Sequence, residues 1–285
     1  MTVSLSIDGN SLRIVKSSGK KIDKWDTVGL DPKLVREGII TDTASMSEIV
    51  KRALSERKLS RRNIRWSLPS VGSSSQIVVI PKTGKSKSAT VVEREVRRAL
   101  SVSPETSYVY WQSLPKAGVQ QRVYAVAVPK ETVQNLIEMC RGAGVTISSI
   151  ELKSLALARA INQKNAVIAH GEVNAVEMVI MIDSLPILIR GIWLREKDLD
   201  TGRATALLLQ QLASTIEYYN DMNRNSPLPA NIPIYLTGEI ALDSELAQRV
   251  STLSGRTVAS LEPPFSYPDH FPTALYMVNM GLILR

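Results

Sequence analysis

Val3-Ser4-Leu5-Ser6-Ile7-Asp8-Gly9-Asn10-Ser11-Leu12-Arg13-Ile14-Val15-Lys16 is the stretch on which the reading of the fold turns. Apolar and polar residues alternate on either side of Asp8-Gly9-Asn10-Ser11, the pattern of two short strands with one buried face. Asp-Gly supplies the hairpin turn, because glycine accepts the positive φ that a tight turn demands. The spacing predicts strands over Val3–Ile7 and Leu12–Lys16, and a third near Lys24–Leu30. An amphipathic helix over Ser45–Glu56 follows, since Met46, Ile49, Val50, Ala53 and Leu54 recur at helical spacing. Thr43 or Ser45 is placed to cap it. Ile64–Leu68 is the next strand, closed by Pro69-Ser70 and the polar stretch Gly72–Ser75.

Further along, Gln76–Ile80 reads as a strand and Ala89–Leu100 as a helix with a charged face. Tyr108–Leu114 and Arg122–Val128 read as strands around a Pro115–Gln121 turn, Lys130–Arg141 as a helix ended by Gly142 and Gly144, and Thr146–Leu152 as a strand. The order β-α-β-β-α-β is that of a compact two-layer module. We expect it as a subdomain over 76–152, inserted into a first lobe formed by 1–75. A second lobe over 153–285 opens with a helix at Ser154–Gln163 and a meander of Ala166–Ala169, Ala175–Ile182 and Ile187–Trp193. A long helix at Arg203–Asn223 comes next, then a strand at Ile234–Leu236 and a helix at Glu245–Leu253. An apolar helix at Phe271–Leu284 would return toward the first lobe. Each half is a hairpin-led sheet followed by helices.

The 285 residues, 44% of them apolar and 22% charged, suit a large globular unit rather than a disordered chain. A single cysteine, Cys140, excludes an intrachain disulfide, and its apolar neighbours Val133, Leu136 and Ile137 mark it as a core thiol. The first residues carry Asp8 and Arg13, unlike a signal peptide, and no run of about 18 apolar residues occurs. The net charge is +8. Basic residues gather at Lys20-Lys21, Arg61-Arg62, Arg65, Lys82–Lys87 and Arg94, Arg97 and Arg98. A solvated basic face, an anionic membrane surface and nucleic acid compete as explanations. No RNP-like aromatic motif or zinc finger accompanies the charge, which sets nucleic acid aside.

Gly84-Lys85-Ser86 has the ending of a phosphate-binding P-loop, but Val79 stands where the pattern needs its first glycine. His170 and His270 lie far apart without clustered ligands, so no metal site is expected and both read as structural. No G-x-S-x-G or G-x-G-x-x-G occurs.

Several stretches together resemble the PilM family of type IV pilus assembly proteins, relatives of the cell-division protein FtsA. They are Asp8-Gly9-Asn10-Ser11-Leu12-Arg13, Arg36-Glu37-Gly38-Ile39-Ile40, Ser67-Leu68-Pro69-Ser70 with Val79-Ile80-Pro81-Lys82, Tyr218-Tyr219-Asn220, and Leu236-Thr237-Gly238. The resemblance covers essentially the whole chain. It implies an α/β, actin-like (ribonuclease H-like) fold of two lobes with the inserted β-α-β-β-α-β subdomain.

It also implies where a nucleotide site would lie, and that this site is degenerate. At the first hairpin Ser6 takes the usual acidic position, and Asp8, Gly9, Asn10 and Ser11 keep a polar turn with a displaced carboxylate. At the second, Ala169-His170-Gly171-Glu172 can be set in two registers. One puts Ala169 and the other His170 at the family's aspartate, and in the latter Glu172 stands at the glycine. At the third, the family's Gly-Gly pair is Gly238-Glu239. Carboxylates left uncompensated beside a polyphosphate would repel it. The family reading is therefore a scaffold at the cytoplasmic face of the inner membrane, holding the N-terminal tail of a PilN-like membrane protein in a groove between the first lobe and the inserted subdomain. No catalytic residue, no metal, no cofactor and no nucleic-acid partner are expected. The alternatives are an active actin-like ATPase or nucleotide-binding switch that uses ATP and magnesium, and a self-associating filament former.

Overall fold

The computed structural model describes residues 1–81, 88–115, 121–194 and 200–285. The whole Lys82–Lys87 loop, with Gly84-Lys85-Ser86, and the interior of the Pro115–Gln121 turn lie outside the described residues. The chain opens with β1 (Thr2–Asp8), β2 (Ser11–Ser18) and β3 (Lys21–Gly29), an antiparallel meander. Asp8 pairs with Ser11 across a turn in which Gly9 has φ +59°. β4 (Val35–Arg36) and β5 (Ile39–Ile40) form a small antiparallel ladder that the sequence reading passed over, since two residues carry no periodicity. In α1 (Thr43–Glu56) the cap is Asp42, whose Oδ1 accepts from the Ser45 amide at 2.9 Å, not Thr43 or Ser45. Met46, Val50, Ala53 and Leu54 of α1 are buried, as their spacing requires.

β6 (Ile64–Leu68) runs parallel to β1. Then come β7 (Ser74–Ile80), α2 (Ala89–Leu100), β8 (Ser107–Ser113), β9 (Gln121–Pro129), α3 (Lys130–Gly142) and β10 (Ile147–Leu152), the β-α-β-β-α-β order expected. Their pairing divides them. β7, β9 and β8 make a three-stranded antiparallel sheet, with Val78, Ile80, Val123 and Ala125 packed on Val92 and Val96 of α2. β10 instead runs parallel to β6 and becomes the fifth strand of the first sheet, in the order β10-β6-β1-β2-β3. Residues 72–136 therefore form one compact unit, and 1–71 with 137–285 form the other. Compared with the expected 76–152, the inserted unit gives up β10 and the end of α3 to the main body.

The main body continues with α4 (Lys153–Ile161) and a second meander of β11 (Ala166–Glu172), β12 (Ala175–Ile182) and β13 (Leu185–Trp193). α5 (Thr201–Met222) follows, then β14 (Ile234–Thr237) parallel to β11, α6 (Leu246–Ser254) and α7 (Thr273–Ile283). Both sheets of this unit thus use one plan, a three-strand meander extended by a parallel strand beside its first member. α4 and α7 lie between them. Leu157, Ile161, Met277 and Met280 share a core with Val15 and Ile22 of the first sheet and Ile168 and Val179 of the second. The other face of the second sheet is covered by Leu208 and Leu212 of α5 and Leu246 and Val250 of α6. Where α4 and α7 cross, a Cβ on Gly281 would sit 1.8 Å from the Ala156 carbonyl oxygen, so only glycine fits.

Cys140 is buried, and burial pushes its thiol up to about 12. Its expected neighbour Ile137 faces solvent instead, and Met139 takes its place in the core. His270 stacks at 5.4 Å on Trp25. No helix among the described residues is long and apolar enough to cross a membrane.

Candidate functional site: a buried ion cluster where three turns meet

The parallel pairing of β11 with β14 sets His170 beside Thr237, so the chain leaves β14 at Gly238 next to the end of β11. Gly238 has φ +87°, and a Cβ there would lie 2.3 Å from the Gly171 carbonyl oxygen. Glycine is required twice over, by conformation and by space. Gly171 is also tight, since its Cβ would fall 2.6 Å from Leu208. From the first sheet, the β1–β2 turn approaches the β11–β12 turn closely enough for Asn174 Nδ2 to donate to Asn10 Oδ1 at 2.9 Å. A Cβ on Gly9 would stand 3.3 Å from Glu172 Oε2. Asp8-Gly9-Asn10, Gly171-Glu172 and Gly238-Glu239 are thus brought together, and Ser11 opens β2 beside them.

The ground between these turns is filled by the protein's own charges. Arg13 on β2 donates from Nη1 and Nη2 to the two oxygens of Glu172 at 2.7 and 2.6 Å, a bidentate pair. The Glu239 amide adds a third donor to Glu172 Oε1 at 3.2 Å. Lys153, the first residue of α4, sets its Nζ 2.6 Å from Asp8 Oδ1. Ser6 Oγ donates to Asp8 Oδ2 at 2.6 Å, and Arg13 Nη1 is 3.6 Å from the same oxygen. His170 bonds Thr237 Oγ1 through Nδ1 at 3.0 Å and places Nε2 3.4 Å from both Asp8 Oδ1 and Glu172 Oε1. Glu177 accepts from Ser70 Oγ at 2.8 Å. The Asp8 and Glu172 side chains are fully buried.

Burial raises the free energy of every charge here, so each must find a partner. For Asp8 burial works against ionisation, but Lys153, the His170 hydrogen bond and Arg13 outweigh it and hold the carboxyl well below the usual carboxylate range. Burial likewise opposes the charge on Lys153, and the carboxylates of Asp8 and Glu177 reverse the balance, so its ammonium is held more firmly than usual. Arg13 is raised in the same way by Glu172 and Asp8. Glu177 goes the other way: desolvation exceeds the help it has from Lys153 and His170, and its carboxyl is pushed up. Glu239 is also pushed up, by partial burial and by Glu172.

These contacts correct two expectations. Glu172 is not an uncompensated anion, because Arg13 holds it with two hydrogen bonds. Glu239 presents its backbone amide to the cluster while the residue itself is exposed. The histidine thought to lack carboxylate neighbours gains two, since the fold carries Asp8 and Glu172 to His170, and ligand atoms of these three lie within 4.8 Å of one another. A divalent cation fits them poorly. It would have to part Lys153 from Asp8 and Arg13 from Glu172, and would then lie close to both displaced cations. Lys153 and Glu177 escaped the sequence reading altogether. The one available signal was a lysine opening an otherwise apolar helix, Lys153-Ser154-Leu155-Ala156-Leu157.

Two sheets of repeated plan, facing turns and a helix pair between them define an actin-like α/β fold. Among solved structures the chain is similar, over 100% of its length and 98% of the other, to a chain of the PilM-PilN type IV pilus biogenesis complex, with a TM-score of 0.79 and 19% identity. It is similar over 99% of its length, and 92% of the other, to the cytoplasmic domain of EpsL, an inner-membrane component of the type II secretion system of Vibrio cholerae (TM-score 0.55, 11% identity). A Bacteroides thetaiotaomicron protein with the actin-like ATPase fold matches 100% of this chain and 95% of its own (TM-score 0.51, 11% identity). At these identities the likeness is one of fold. No protein-family model matches the chain, and no curated protein matches it.

Proposed function

We propose that this chain is a scaffold of a type IV pilus or related assembly or secretion machine, working at the cytoplasmic face of the inner membrane. There it binds the N-terminal tail of a PilN-like membrane partner. The observation that carries this reading is the end-to-end likeness to a chain of the PilM-PilN complex, which spans all of this chain and 98% of that one at a TM-score of 0.79. The likeness to the cytoplasmic domain of a secretion component supports the same class of task. Charges that could steer a nucleotide are spent on one another within the ion cluster, so the role we assign is holding rather than hydrolysis. ATP and magnesium have no part in it.

The test is a titration of a fluorescent peptide, the first residues of a PilN-like membrane protein from the same organism. Saturable anisotropy change with one peptide per chain is expected, and a scrambled peptide should give none. No change at high micromolar protein would overturn the assignment.

A further inference from the structure

The surroundings of the Glu172 carboxylate have the composition of an oxyanion receptor. Arg13 offers two parallel donors at 2.7 and 2.6 Å, and the Glu239 amide a third at 3.2 Å. His170 Nε2, on a side chain 2% exposed, lies 3.4 Å from Glu172 Oε1 and 3.4 Å from Asp8 Oδ1. Arg13 Nε is buried and has no hydrogen-bond partner among the described residues. Glycines at the two flanking turns let backbone come close: Cβ atoms on Gly9 and Gly238 would meet Glu172 oxygens at 3.3 and 2.8 Å. Planar bidentate guanidinium, a main-chain amide and close glycine turns are what protein sites present to phosphate or carboxylate.

We propose that Arg13, the Glu239 amide and His170 form an oxyanion receptor whose resident ligand is the protein's own Glu172 side chain. This tethered carboxylate fastens β2 of the first sheet to β11 and to the turn after β14. Glu172 thereby keeps the two sheets joined at every phosphate or nucleotide concentration. The receptor freed of Glu172 takes a small oxyanion, either planar formate or tetrahedral phosphate. The inference does not depend on the partner assigned above, and a failed peptide titration leaves it standing.

Chemical rescue tests it. The Glu172→Ala variant melts well below the parent in sodium chloride. Sodium formate or inorganic phosphate at equal ionic strength should raise its melting temperature saturably, by at least about 2 °C, while the parent moves no more than in chloride. Removing the receptor as well, in Glu172→Ala/Arg13→Ala, should abolish the response. If Glu172→Ala is unfolded at rest, the same titration is read as recovery of its helical circular dichroism. Failure of both anions to restore melting temperature or helix overturns the proposal. So does an anion-specific stabilisation of the parent that Arg13→Ala removes, because the receptor would then be accepting an outside ligand with Glu172 still in place.

Discussion

At the scale of single residues, the Asp8–Lys153 pair makes the sharpest prediction. Lys153→Met leaves the Asp8 carboxylate buried without its nearest cation, and breaking a buried pair from one side costs about 3–5 kcal/mol. The loss has a defined pH dependence. Asp8 is held below its unfolded value of about 3.9, so its ion pairing contributes stability above that pH and forfeits it as pH falls through the folded value. Lys153 is held above its unfolded value, so its share is complete below about pH 10 and declines only as pH rises through the folded value. The gap in melting temperature between parent and Lys153→Met should therefore be widest from pH 6 to 9 and narrow toward pH 3. A constant gap would mean that packing of the lysine stem, not its charge, is what is lost. Of the turns that host this chemistry, the one at Asp8-Gly9 was readable from its own dipeptide, while Gly171-Glu172 and Gly238-Glu239 were located only through the family resemblance. The partners were not readable. Arg13 meets Glu172 and Lys153 meets Asp8 only after two sheets and a helix are assembled, and no spacing rule spans such separations.

At the scale of elements, the crossing of α4 and α7 is set by backbone contact, which makes it sensitive to one methyl group. Gly281→Ala would drive a Cβ into the Ala156 carbonyl oxygen. With a main-chain obstacle on one side and a helix fixed between two sheets on the other, we expect a loss of about 3 kcal/mol, or roughly 6–12 °C in melting temperature. Adding Ala156→Gly should give no relief, since the obstructing atom is not in the side chain. Gly29→Ala, with nothing near its Cβ, serves as the neutral control. Neither substitution touches the ion cluster, so the effect should not vary with pH as that of Lys153→Met does. Helices were legible at this scale because their apolar residues repeat at 3.6; Met46, Val50 and Leu54 all face inward as read. The destination of β10 was not. Ile147–Leu152 reads as a strand either way, and its ladder to β6 rather than to β7 or β8 depends on pairing that leaves no local trace.

At the scale of the whole molecule, the division at 72–136 should be visible in how the chain opens. The smaller unit is held by one three-stranded sheet on one helix, whose described cluster has six buried apolar residues. The main body has two larger clusters on either side of β11 and β12. Native-state hydrogen exchange in dilute denaturant should show the amides of β7, β8, β9 and α2 exchanging together through a partial opening, while β11, β12 and α7 stay protected. Exchange of all of them in a single global event would show that the two units share one cooperative core. Two hairpin-led halves were apparent from the order of elements alone. The limits of the inserted unit were not, because its last helix and strand are built from ordinary local signals and only their packing partners assign them.

The place of α7 also bears on how the protein comes into being. Asn279 donates to the carbonyl oxygens of Ser4 and Arg13, joining residues up to 275 apart in the chain, and the same helix fills the core above β1 and β2. A ribosome emits about 5–20 residues per second. Once they leave the exit tunnel, β1 and β2 must therefore wait on the order of tens of seconds for the helix that covers them. During that interval an apolar hairpin face stands uncovered, so the nascent chain depends on a chaperone or on slow, late closure, and truncation before α7 should yield aggregate rather than a half-built fold.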